Sequence, residues 1–117
     1  MERTATNKVE AIIMPYALDS VRDALLLAGI ERMNVCEVKA LNPRRHQGWH
    51  RGTEYVVWYE PLIKIELLVD DDRVDDSIEV IKASARTDER AVEIMVLPVN
   101  HVISIRTDEN AWPVRVV

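Results

Sequence analysis

Twice along this chain of 117 residues a β-rich run gives way to an amphipathic helical pattern and then to another β-rich run. That order constrains the fold more than any motif does, because a period near two and a period near 3.6 present different surfaces for packing. KVEAIIM, Lys8 to Met14, is β-rich and stops at Pro15. In ALDSVRDALLLAG, Leu18, Val21, Leu25 and Ala28 recur at helical spacing, Asp19 and Arg22 take the other side, and Gly29 supplies a stop. MNVCEVKAL, Met33 to Leu41, reads as a second strand. EYVVWYEPLIKIELLVD, Glu54 to Asp70, is a third, and Pro61 inside it predicts a bend, a bulge or an edge. Asp70, Asp71 and Asp72 offer N-cap chemistry to a second helix whose buried stripe is Val74, Ile78, Ile81 and Ala85. AVEIMVLP, Ala91 to Pro98, is a fourth strand, and HVISIRT, His101 to Thr107, a short fifth.

The order β-α-β, a long connection, β-α-β is the split βαβ arrangement of ferredoxin-like folds, an α+β class with two helices on one face of an antiparallel sheet. The length suits one domain over residues 1–117. The other sheet face has no cover within the chain. Ile12, Val57, Ile65, Leu67 and Met95 are expected to load it with apolar surface, which a two- or three-fold oligomer packing sheet on sheet buries. The fold by itself names no function.

Apolar types make up 48% of the residues and charged types 30%, a globular composition. The net charge of −5 argues against nucleic acid as a partner, since phosphate binding is driven by clustered Lys and Arg. Cys36 is the only cysteine, which fits a reducing compartment; mid-strand, it is expected to be a buried structural thiol. No apolar run approaches the ~20 residues of a membrane helix and the N-terminus lacks a signal-peptide core, so a cytoplasmic protein with no membrane insertion is expected.

Against this acidic background the connection RRHQGWHRGTEY, Arg44 to Tyr55, is basic, aromatic and glycine-broken. Its Trp49 and arginines are the residue types that anchor protein interfaces, so a partner contact is expected there. His46 and His50 stand four apart, a zinc or copper spacing on a helix, but Pro43, Gly48 and Gly52 argue against a helix. Both remain candidate metal ligands beside their plainer reading as ordinary loop histidines. The acidic run from Asp70 to Asp76 lacks the glycine and closing glutamate of a calcium loop and reads as a solvated helix start. No serine sits in a nucleophile elbow, no nucleophile–base pair is evident, and an enzyme is not expected.

Taken together, five stretches in order resemble the PII family of signal-transduction proteins: KVEAIIMPYALDSVRDAL, GIERMNVCEVKAL, HRGTEYVV, IKIELLVDDDRVDDSIEVI and ISIRT. The resemblance implies a homotrimer with its sheets facing inward. It also implies adenine-nucleotide sites in the clefts between subunits, and a long T-loop, here about 42–54, that engages a transporter, enzyme or regulator. Carried onto this chain, the nucleotide residues are Ile12, Asn34, Ala40, Glu66, Leu68, Arg86, Thr87, Arg90 and Arg106. The partner-binding residues are Arg44, Arg45, His46, Trp49, His50, Arg51 and Tyr55, the last matching a tyrosine that some members uridylylate.

Departures from the family pattern refine this. The turn before the fourth strand, about 87–93, keeps Thr87 but loses its glycines, and Glu93 stands where a phosphate-binding lysine is usual. Ser104 replaces the first of two closing arginines, and Asn34 replaces a threonine. At about 5 Å and an effective dielectric of about 20, each unit of unfavourable charge costs up to about 3 kcal/mol before screening. AMP or ADP is therefore expected ahead of ATP. The glutamine that helps hold 2-oxoglutarate is missing from LNPRR, and Leu62 replaces a lysine, so no 2-oxoglutarate binding is expected. Some divergent relatives are linked with bicarbonate uptake, which suits a member without that site. Alternatives are a metal-responsive trimer using His46 and His50, or a ligand-free adaptor; a tail from Asp108 to Val117 closes the sequence.

Overall fold

A computed structural model describes residues 5–50, 53–85 and 93–105; of 42–50 and 53–58 it describes the backbone alone. Strand β1 is Thr6–Ile13, helix α1 Leu18–Leu27, β2 Met33–His50, β3 Thr53–Asp70, helix α2 Val74–Ala85 and β4 Glu93–Val99. Single 3-10 turns, Pro15–Ala17 and Asp71–Arg73, lead into the helices. The sheet order is β2-β3-β1-β4, antiparallel throughout. This is the expected ferredoxin-like arrangement.

In β1 the residues alternate strictly, with Asn7, Val9, Ala11 and Ile13 buried and their neighbours half-buried. Val9 opposes Leu67 and Ile13 opposes Ile63, so β3 contributes Ile63, Ile65, Leu67 and Val69 to the same face. Val21 and Leu25 of α1 and Ile81 and Ala85 of α2 close over them. At the end of α1, Gly29 adopts φ +83, a left-handed conformation that costs a Cβ-bearing residue energy. Its N–H donates to Leu26 O and that of Ile30 to Leu25 O, a Schellman cap that turns Ile30 back into the core. The Arg73 guanidinium donates to Ala28 O, placing a cation at the negative end of α1 and tying the two helices together.

Several expectations are corrected by the packing. Ile65 and Leu67 lie beneath the helices, wholly buried, and do not belong to the open face; Ile12 and Met95 do. The α2 stripe is Ser77, Ile81 and Ala85, with Ile78 only half-buried. Ser77 tolerates burial because its hydroxyl donates to Arg73 O at 2.7 Å. Asp70 makes no side-chain cap; instead Asp71 accepts from Asn7 Nδ2 and its backbone N–H donates to Ala5 O, stapling the start of β1 to the turn before α2. His101 to Ile105 form no strand, and Ile103 and Ile105 are both 82% exposed; the remainder of the expected fifth strand lies outside the described residues.

Most of the segment expected as a loop is paired backbone. β2 and β3 run on past the two-layer body as a ribbon, with His46 opposite Val57, Gly48 opposite Tyr55 and His50 opposite Thr53. The irregularity predicted for Pro61 occurs instead between Leu41 and His46, where 42–45 face only Trp58. Pro43 sits in that stretch and lacks the N–H a ladder needs. Pro61 keeps register with Lys39, beyond the end of β1, where β3 is paired on one side only among the described residues, which is the edge position that was one of its expected settings. The radius of gyration is 18.1 Å, against about 13 Å for a compact chain of this length.

Candidate functional site

Because antiparallel partners share a face, the register sorts the candidates. Asn34 opposes Glu66, Ile12 opposes Lys64, Lys8 opposes Leu68 and Ala40 opposes Glu60, all on the face opposite the helices. Asn34, Glu66 and Leu68 therefore come together at one end of the strands. Ile12 lies one row along from the Asn34–Glu66 pair and two strands across. Ala40 lies six residues from Asn34, about 20 Å along β2. Arg86, Thr87, Arg90, Arg106 and Arg51 lie outside the described residues.

Charged side chains knit the middle of this open face. Lys8 Nζ lies 2.9 Å from Glu10 Oε1 and 3.1 Å from Glu66 Oε2, and Lys64 Nζ lies 3.8 Å from Glu66 Oε1. The hydrogen bonds of Lys8 to Glu10 and then to Glu66 raise its pKa above the usual lysine value. The bond from Lys8 holds the Glu10 carboxyl below the usual carboxylate range. Glu66 thus presents a carboxylate shared by two lysines. Glu93 extends the acidic character to the far edge, exposed and opposite Ile12.

Beyond Leu68 the surface opens into a cavity of about 510 Å³. Gly29 to Arg32 form one wall, Leu68 to Asp70 another, and Arg73 reaches in from the start of α2. Arg73 Nε is buried and lies 3.7 Å from Asp76 Oδ2, an ion pair too long for a hydrogen bond, and it makes none among the described residues. Its lining sets the guanidinium groups of Arg32 and Arg73 beside the carboxylates of Glu31 and Asp70, with an apolar flank from Leu68 and Val69, a mixture that suits a flat, polar-edged group. Arg32 and Arg73 were not singled out from the sequence. A lone arginine between a helix and a strand carries no pattern; only the α1–β2 turn brings it to Leu68.

Arg44, Arg45, His46, Trp49, His50 and Tyr55 all lie on the ribbon. Four residues climb about 6 Å on a helix but about 13 Å on a strand. The extended backbone thereby removes the helical spacing that made His46 and His50 a metal pattern. Cys36 is exposed on the open face opposite Lys64, not buried as expected: β2 is the outer strand and no described residue covers it there.

The sequence has counterparts among known proteins. The family described as Nitrogen regulatory protein P-II matches residues 6–109. This chain belongs to the P-II family. It is 45% identical over 105 residues to the Nitrogen regulatory protein P-II of Nostoc punctiforme, covering 88% of this chain and 94% of that protein. It is 43% identical over the same span and coverage to Nitrogen regulatory protein P-II 1 of Escherichia coli K12. The protein of Cereibacter sphaeroides with the P-II name is 41% identical, again over 88% and 94%. The chain is thus a regulatory signalling protein of the P-II type, not an enzyme.

Proposed function

We propose that this P-II protein is a homotrimer that binds an adenine nucleotide between subunits and reports its occupancy to a target protein, a transporter or an enzyme, through the ribbon segment 42–54. The observation that carries the nucleotide reading is the convergence of Asn34, Glu66 and Leu68 at one end of the strands, with Leu68 on the wall of a cavity that Arg32 and Arg73 also line. In this reading the base end occupies that cavity, and Arg86, Thr87, Arg90 and Arg106, the remaining positions that the resemblance assigns, hold the phosphates. Glu93, exposed on the same face, adds negative charge where a longer phosphate chain would extend. AMP and ADP are therefore favoured over ATP. Leu62, half-buried opposite Val38, offers no charge to a dicarboxylate, so 2-oxoglutarate is not an effector.

Calorimetry on the purified protein with AMP, ADP, ATP and cyclic AMP, each with and without 2-oxoglutarate or bicarbonate, tests this. AMP or ADP binds, ATP binds more weakly, 2-oxoglutarate adds no heat, and Arg106→Ala weakens nucleotide binding about tenfold or more. Ligand at one hundred times Kd stabilises the fold by about 2.7 kcal/mol, visible as a thermal shift. Silence across all adenylates while a target protein is still captured turns the reading into a ligand-free adaptor.

A further inference from the structure

A second cavity, of about 430 Å³, lies at the root of the ribbon, where β1 has ended and β2 and β3 leave the two-layer body. Its apolar walls are Pro15, Pro61 and Ile63. Glu37 and Lys39 border it as well. Glu37 opposes Ile63 and Lys39 opposes Pro61, so these residues share the helix-bearing face. The Asn34–Glu66 row lies on the other side of the sheet. Val38 and Leu62 border the cavity from that other side, but none of its lining residues is among those assigned to the nucleotide, so a ligand at the ribbon's root is independent of the nucleotide reading.

Both charged residues are exposed, and neither makes a hydrogen bond or ion pair among the described residues. Two residues apart on a strand, their Cα atoms are about 7 Å from each other. At this spacing Lys8 and Glu10 pair directly, whereas Glu37 and Lys39 form no ion pair with each other, which leaves both charges open to the two ends of one small zwitterion. A cavity of this volume falls within the range of small-molecule sites. Apolar walls with one anion and one cation at the rim describe a ligand with an apolar body and adjacent ammonium and carboxylate groups.

We propose that this cavity binds a free α-amino acid with an aliphatic side chain. The ligand's ammonium donates to the Glu37 carboxylate, its carboxylate accepts from Lys39 Nζ, and its side chain lies against Pro15, Pro61 and Ile63. Bound there, the ligand touches β2 and β3 together where the ribbon departs, so occupancy stiffens the ribbon's base. The site gives a P-II protein a second input, held by residues other than those assigned to the nucleotide.

Calorimetry of the full chain with L-leucine decides the matter, with 4-methylpentanoate and 3-methylbutylamine as analogues lacking the ammonium or the carboxylate. L-leucine binds saturably, and each analogue binds about tenfold more weakly. Glu37→Gln weakens L-leucine about tenfold but leaves 4-methylpentanoate unchanged. Lys39→Gln weakens L-leucine similarly but leaves 3-methylbutylamine unchanged. Both positions are exposed, and unchanged melting temperatures establish that each variant is folded. Amide shifts on titration fall in 37–39 and 62–63. The proposal is overturned by no saturable binding at millimolar L-leucine, by analogues that bind as well as the amino acid, or by affinity that survives both substitutions.

Discussion

β2 and β3 each live in two environments, and the contrast between them explains how one pair of strands serves both stability and signalling. From Ile63 to Leu67, β3 is flanked by β1 and β2, and two helices roof it, so every second side chain is buried. From Thr53 to Val57 it has β2 as its only strand neighbour among the described residues, and neither described helix lies over it. A two-stranded ribbon without a third strand or a covering layer is marginally stable in water. The same backbone pairing therefore gives a rigid floor in one half and an easily remodelled arm in the other. Of the described candidates, Asn34, Glu66 and Leu68 meet on the floor, while Arg44, Arg45, His46, Trp49, His50 and Tyr55 lie on the arm.

The largest test of this contrast is a core truncation. Ile65→Ala, at a position with no exposed surface, lowers stability by about 2–5 kcal/mol in chemical denaturation. An equal truncation on the arm, Val57→Ala opposite His46, costs less than about 1 kcal/mol. Similar losses at the two sites would break the comparison. Gly29→Ala is intermediate. An added Cβ meets nothing closer than Arg73 Nη1 at 4.0 Å, so the cost is backbone strain alone, about 1–2 kcal/mol, read as a lower melting temperature. Amide exchange sharpens the contrast further: amides of 7–13 exchange only through global opening, while those of 46–50 exchange orders of magnitude faster.

The smallest effect is electrostatic. Glu10 has a depressed folded pKa, so its contribution is present above the ordinary carboxylate value and lost as pH falls through the depressed one. Lys8, with a raised pKa, contributes below the ordinary lysine value and loses its contribution as pH rises through the raised one. Melting curves of wild type and Glu10→Gln differ slightly at neutral pH and converge in acid. The exposed network makes that difference minor and salt-sensitive.

The floor was legible in the sequence and the arm was not, for a physical reason. Alternation in Val9, Ala11 and Ile13, helical spacing in Val21 and Leu25, and Gly29 at a helix end are local patterns, and the structure keeps each of them. Facing is not local. Ile65 and Leu67 lie in a run apolar on both sides of the strand, so period alone did not say which half meets the helices. Cys36 looked buried because it is mid-strand, and is exposed because that strand is the outermost. His101 to Ile105 alternate like a strand, but a strand needs a partner, and among the described residues this segment has none. The basic, glycine-broken stretch read as a loop; cross-strand register, which no window of sequence contains, pairs most of its described backbone. At the site, Asn34, Glu66 and Leu68 were found through family resemblance, whereas Arg32 and Arg73 needed the fold to bring them together.

The break in register at 42–45 has a bearing on solubility. An outer strand of this length offers a row of unpaired N–H and C=O groups on which another chain can crystallise a sheet. The four residues facing Trp58 throw that row out of step. A stranger's strand finding its register on Met33 to Leu41 is mismatched past Leu41, so strand-by-strand growth stalls there. The interruption that shapes the root of a signalling arm also keeps it from becoming the seed of a fibre.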